Sequence, residues 1–274
     1  MDTLAQRYAL LEPHITIYGP KGDDPMPAVV LFHGCGGMRP HVHAYAKAVV
    51  QTGVRAYVID SFTPRGWDRN FAVSLICTGV VLQGYDRAGD VLAVLWGLKQ
   101  GGRVTMDKVI LAGFSHGGWS IMDLMTAPLT KPGEVKISDP DPALAAAVKG
   151  LFLVYPYINF PARSNTRKWL RAPKVFAVLS QKDHLTPIRH AEKIFRNISA
   201  AGAEVTTLEL DATHAFDEED NKGMIMHFSE EAMHTAMAAL IDYTTDLFGL
   251  PSVVNPVDLP DLIGDEDEQK ISAG

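Results

Sequence analysis

The sequence predicts an α/β fold in which a mostly parallel central sheet of about seven or eight strands carries helices on both faces. Two observations predict it. Short continuous apolar runs of strand length alternate with helical patterns along most of the chain, as repeated strand-helix-strand crossovers require. The 274 residues are 47% hydrophobic, enough for one large core, and no compositional break divides them. Residues 1–250 therefore read as a single domain, and 251–274 as an acidic, flexible tail.

The elements follow in order. Residues 14–18 alternate apolar and polar with β-branched side chains, and the Gly19-Pro20 turn closes them as an edge strand. Residues 28–33 form a buried parallel strand that breaks into Gly34-Cys35-Gly36-Gly37. A helix over 44–51 closes at Gly53, and a strand over 54–60 follows. Residues 61–85 are long and irregular, a loop with short helical pieces or a lid. From Asp86, the positions Val91, Leu92, Leu95, Trp96 and Leu98 recur at helical spacing until Gly101-Gly102. A strand over 109–114 and a helix through Ile121, Met122 and Met125 come next. After a proline-rich excursion over 128–142, strands at 148–155, 175–180 and 205–210 bracket a helix over 187–201. A last helix presents Ala232, Ala236, Leu240, Tyr243 and Leu247 on one face before Gly249 and Pro251.

Charge and composition exclude several function classes. The formal charge is -7, but Asp258, Asp261, Asp265, Glu266, Asp267 and Glu268 against Lys270 place -5 of it in the tail, leaving about -2 on the body. No basic patch of the kind nucleic acid needs is present. No signal-peptide core and no spanning apolar run is visible, so a soluble, cytoplasmic chain without a membrane partner is expected. Cys35 and Cys77 are too few for a disulfide framework and lack metal-site spacing. Both lie in loops near the ends of strands, where they could approach one another, but free thiols are expected in a cytoplasmic chain. His41-x-His43 is expected near the start of a solvated helix rather than on a metal, and no cofactor is called for.

The chemistry centres on Gly113-Phe114-Ser115-His116-Gly117, a G-x-S-x-G segment between an apolar strand and a helix. So few residues separate the two elements that the chain must turn sharply at Ser115, lifting its hydroxyl above the sheet and aiming the next helix's N-terminus at whatever it attacks. A serine hydroxyl needs a base, and the base needs an orienting acid. His214 after the last strand and Asp183 after the preceding one supply them, in the chain order Ser, acid, His. Asp211 and Asp217 compete for the acid's place. Asp211 reads as part of the turn to His214, and Asp217 as part of the acidic run 217–220, a solvated face or a helix start. The backbone N-H groups of His116 and, from the glycine loop, Cys35 are the expected oxyanion donors.

With these pieces in place, the chain resembles the dienelactone hydrolase family of α/β-hydrolases. The resemblance rests on His33-Gly34-Cys35-Gly36-Gly37, Asp60-Ser61-Phe62-Thr63-Pro64-Arg65-Gly66, Gly113-Phe114-Ser115-His116-Gly117-Gly118, Asp183 and His214-Ala215-Phe216, spread over residues 28–216. The family's namesake has a cysteine nucleophile and a glutamate in the loop after the first core strand. Here Ser115 stands at the nucleophile position, and residues 33–37 contain no acid. The resemblance thus implies a serine hydrolase of the family, acting on a small-molecule ester or lactone through an acyl-serine intermediate.

Two other readings stand beside it: an acyltransferase or amidase using the same triad, and a non-catalytic binding module on the same fold. Self-association is left open. For the substrate pocket, Phe62, Trp67 and Phe216 are expected as apolar lining or as ordinary core residues, and Arg65 as the cation available to an anionic substrate. The acids after His214 favour neutral esters or lactones.

Overall fold

The computed structural model describes residues 1–252 and 269–270. The acidic run of the tail lies outside the described residues. The strands are β1 (Ile15–Tyr18), β2 (Met26–Phe32), β3 (Arg55–Ile59), β4 (Val104–Phe114), β5 (Gly150–Val154), β6 (Lys174–Lys182), β7 (Val205–Thr213) and β8 (Gln269–Lys270). Among the described residues they form one sheet in the order β7-β6-β5-β4-β2-β3-β1-β8. Every pair from β3 through β2, β4, β5 and β6 to β7 is parallel, while β1 runs antiparallel to β3 and to β8. The seven strands before the tail match the expected sheet.

The helices are α1 (Leu4–Leu11), α2 (Pro40–Val49), α3 (Arg69–Phe71), α4 (Gly84–Gly101), α5 (His116–Thr126), α6 (Pro142–Ala146), α7 (Ile188–Ala200) and α8 (Glu230–Phe248). One face of the sheet buries Leu4 and Leu11 of α1, Val91 and Leu95 of α4, Ile121 and Met125 of α5 and Ile194 of α7. The other buries Val42 and Tyr45 of α2 with Met233 and Leu240 of α8. The central strands read as continuous apolar runs because both of their faces are covered.

This order fixes where a site can form. β3 and β4 flank β2 on opposite sides, so the connections leaving β2 and β3 diverge and open a crevice at the carboxyl ends of β2 and β4. The glycine loop leaves one strand, and Ser115 leaves the other.

Candidate active site

Ser115 sits between β4 and α5 at φ 47° and ψ -108°, a left-handed conformation rare for a side-chain-bearing residue. Its backbone is pinned on both sides. The N-H donates to the Val154 carbonyl at 3.0 Å, and the carbonyl accepts from Trp119 N at 3.0 Å and Tyr157 N at 3.1 Å. The motif's glycines are there for space. A Cβ on Gly117 would lie 2.1 Å from the Phe32 carbonyl oxygen, and one on Gly113 would lie 2.6 Å from Gly118 N. Only glycine lets α5 start this close to the ends of β2 and β4.

The structure brings Ser115, His214 and Asp183 into one hydrogen-bonded chain, all three buried. Ser115 Oγ lies 2.9 Å from His214 Nε2, and His214 Nδ1 lies 2.7 Å from Asp183 Oδ2. The other carboxylate oxygen of Asp183 accepts from the N-H groups of Leu185 and Thr186, each at 2.8 Å. With Asp183 an acceptor throughout, His214 carries its proton on Nδ1 and presents the Nε2 lone pair to the serine hydroxyl. Asp211 is exposed in β7 and pairs with Lys182 at 2.6 Å.

Cys35 and His116, the expected donors of the oxyanion site, flank Ser115. His116 is the first residue of α5, whose leading N-H groups have no intrahelical acceptor. Gly34 approaches Ser115 so closely that a Cβ there would stand 3.7 Å from the serine Cβ. The expectation of free thiols is overturned: Cys35 and Cys77 are bonded to each other, with their Cα atoms 5.0 Å apart. The long segment after Asp60 folds back over the glycine loop and brings the two residues within bridging range.

A cavity of about 400 Å³ opens above Ser115. Phe114, Trp119, Tyr155, Tyr157, Phe160 and Leu185 give it apolar walls, and among the described residues Arg69 and Glu218 are the lysine, arginine or carboxylate side chains on its lining. None of the four expected lining residues is among those that form it. Arg65 is turned inward, donating to the Ser61 carbonyl and to Asp90 Oδ1 at 2.8 Å. Phe62 is buried in a small cluster with Trp67 and Phe71 packed against it. Phe216 is fully buried edge-on to Tyr155. Packing consumes all three aromatics, and the buried Asp90 carboxylate consumes the arginine.

Two more expectations are corrected. Asp217 is buried rather than solvated, because the chain turns inward after Ala215, at φ 53°. It accepts a hydrogen bond from the Tyr155 hydroxyl, and burial pushes its carboxyl up to about 6. His41 is likewise buried on the cavity wall, its Nε2 3.9 Å from Asp217 Oδ1, and burial holds its imidazole down to about 4. Sequence reasoning also passed over Arg87, wholly buried in α4, whose signal was a charged residue inside an otherwise apolar helical pattern.

Among the described residues no helix is long and apolar enough to cross a membrane. A model of the dienelactone hydrolase family matches residues 14–248. A search of curated proteins by sequence gives no match. Among solved structures, the apo form of Thermogutta terrifontis esterase 2 is similar at TM-score 0.64 and 14% identity, covering 86% of this chain and 90% of that one. The same esterase phosphonylated by sarin aligns at TM-score 0.63 and 14% identity, again over 86% and 90%. A dienelactone hydrolase-like promiscuous phosphotriesterase from metagenomic libraries aligns at TM-score 0.61 and 15% identity, over 86% and 92%. At these identities the structural likeness is one of fold.

Proposed function

Because the chain belongs to the dienelactone hydrolase family and is thereby a hydrolase, we propose that it cleaves a small carboxylic ester or lactone through an acyl-serine intermediate. One observation carries this reading: the Ser115 Oγ, His214 Nε2 and Asp183 Oδ2 chain, at 2.9 and 2.7 Å, lies at the foot of an open cavity. Ser115 Oγ attacks the carbonyl carbon while His214 Nε2 takes its proton, and Asp183 stabilises the imidazolium that forms. The carbonyl π electrons move onto oxygen, which the Cys35 and His116 N-H groups receive. Collapse breaks the ester C–O bond, and His214 returns the proton to the leaving alkoxide. Water, deprotonated by the same histidine, then releases the acid and regenerates the serine.

The cavity lining supports neutral substrates, since Arg69 and Glu218 oppose each other in charge and the remaining walls are mostly apolar and aromatic. The test compares wild type with Ser115→Ala on a chromogenic short-chain ester, with mass spectrometry of an organophosphate-treated sample. Turnover is expected to fall by several orders of magnitude in the variant, and the adduct to map to Ser115. Equal turnover by both proteins overturns the proposal.

A further inference from the structure

The N-terminal turn of α4 packs hard against α5. A Cβ on Gly84 would stand 2.3 Å from the Trp119 ring. That closeness carries the side chain of Arg87, fully buried, beneath the carboxyl ends of the strands. There its guanidinium meets both segments that flank Ser115. Nη1 donates to the His33 carbonyl at 2.8 Å, just before the glycine loop, and lies 3.3 Å from His116 Nδ1. Nε lies 3.2 Å from Ser61 Oγ. The His116 ring gives its Nε2 proton to the Leu82 carbonyl at 3.0 Å, which leaves Nδ1 as the acceptor that faces Arg87. Burial, and then the arginine's charge, hold this imidazole down to about 3.

Asp90 and Asp60 favour the charge on Arg87 from a distance, but neither pairs with it directly. The nearby buried carboxylate, Asp90, accepts on one oxygen from Arg7 and Arg65, both at 2.8 Å. Among the described residues no carboxylate lies within ion-pair distance of Arg87. Burial lowers the guanidinium only to about 10, so it remains charged at neutral pH. A buried cation with neutral partners is costly to the fold. A fixed charge in a water-excluded site, however, stabilises negative charge that develops beside it without reorganising.

We propose that Arg87 is a positioning residue for the hydrolysis put forward above: by holding the His33 carbonyl and the His116 ring together, it sets the spacing of the Cys35 and His116 N-H groups, and it places a positive charge behind them. The inference rests on that functional reading for its kinetic consequence but not for its structural one. A single oxyanion donor is worth about 10²–10³ in kcat. Arg87 bears on the segments that carry both donors.

The experiment uses Arg87→Ala and Arg87→Lys, with Arg55→Met as a control. Arg55 is also a buried arginine, but it bonds the Pro20, Gly22 and Arg103 carbonyls at the far end of the sheet. Arg87→Ala is expected to lower kcat by about 10²-fold with little change in KM, and added methylguanidinium to restore part of the loss. Arg87→Lys keeps the charge without the planar fork and should fall between. It also serves as the test variant should Arg87→Ala not fold. Arg55→Met should lower Tm and leave kcat unchanged. Amide hydrogen exchange at Cys35 and His116 is read in the same proteins, and faster exchange confined to the Arg87 variants is expected. Wild type without ester turnover refutes the functional reading alone, because the exchange data still decide whether Arg87 braces the two segments. Unchanged exchange, near-wild-type kcat in an active protein, or an equal kcat loss in Arg55→Met overturns the proposal.

Discussion

Replacing Asp183 by asparagine tests the proposed chemistry through hydrogen-bond geometry alone. One carboxylate oxygen accepts from the Leu185 and Thr186 N-H groups, and the other from His214 Nδ1. An asparagine has only one acceptor oxygen. Two rigid backbone donors outweigh one ring nitrogen, so the amide oxygen should turn toward Leu185 and Thr186 and its NH2 toward His214. The imidazole must then accept on Nδ1 and carry its proton on Nε2, the nitrogen 2.9 Å from Ser115 Oγ. In that tautomer it cannot take the serine proton. The corresponding change in serine proteases lowers kcat by about 10⁴, equivalent to roughly 5.5 kcal/mol of transition-state stabilisation. Steady-state kinetics on a chromogenic ester, with Tm as a folding check, should show a kcat loss of that order in a protein of near-native stability. A folded variant whose kcat stays within about tenfold of wild type would refute the tautomer argument and the assignment of Asp183.

Further outcomes follow from buried groups and covalent links. Burial raises Asp217 from 3.8 to about 6, so the stability it contributes is fully present below pH 3.8 and is lost as pH rises through 6, a change of about 3 kcal/mol. Urea midpoints of Asp217→Asn should therefore gain on wild type between pH 4 and 7, and parallel curves would contradict this. His41 works in the opposite direction. Burial lowers it from 6.5 to about 4, so wild type should lose about 3 kcal/mol relative to His41→Gln as pH falls across that window. An unchanged acid midpoint in the variant would count against it. The Cys35–Cys77 bond spans 42 residues, for which the chain-entropy argument gives about 4 kcal/mol. Denaturant titration of the Cys35→Ser, Cys77→Ser double variant should show a loss up to that size, and no loss would argue against the bond.

The strands were legible because both sheet faces are covered, so each central strand announces itself as an apolar run. The positions of Ser115 and Asp183 were legible because each follows such a run, and that of His214 because it follows the last strand, an edge strand whose apolar residues alternate with exposed polar ones. Helix α1 was not read, although Thr3 and Gln6 form a reciprocal capping box at its start. At 8 residues the segment is too short for its apolar stripe to establish a helical period by itself. Four successive acids look solvated, whereas one positive φ at Ala215 buries the first of them, Asp217, and brings the second, Glu218, onto the cavity wall, leaving Glu219 and Asp220 exposed. Arg65 stood out beside the aromatics of the loop, yet its charge is spent on Asp90, a partner 25 residues away. Pairings at that range leave no local pattern. Arg87 and Asp90, three positions apart in an apolar helix, did carry one: charges at buried spacing point to a built-in electrostatic feature.

The chain's two cysteines are both consumed in one bond at the rim of the cavity. Among the described residues the site therefore offers no thiol: its remaining lining sulfur is the weakly nucleophilic thioether of Met226. Soft alkylating agents such as iodoacetamide have no thiolate to attack while that bond is intact, whereas hard phosphorus and carbonyl electrophiles would, on the proposed function, retain Ser115 as a target. An acyl group would be held as an oxygen ester rather than a thioester, and would resist thiols that strip acyl groups from cysteine enzymes. Inhibitor selectivity in this protein would thus depend on the redox state of its surroundings: a reductant would open the link and expose two new nucleophiles at the mouth of the site.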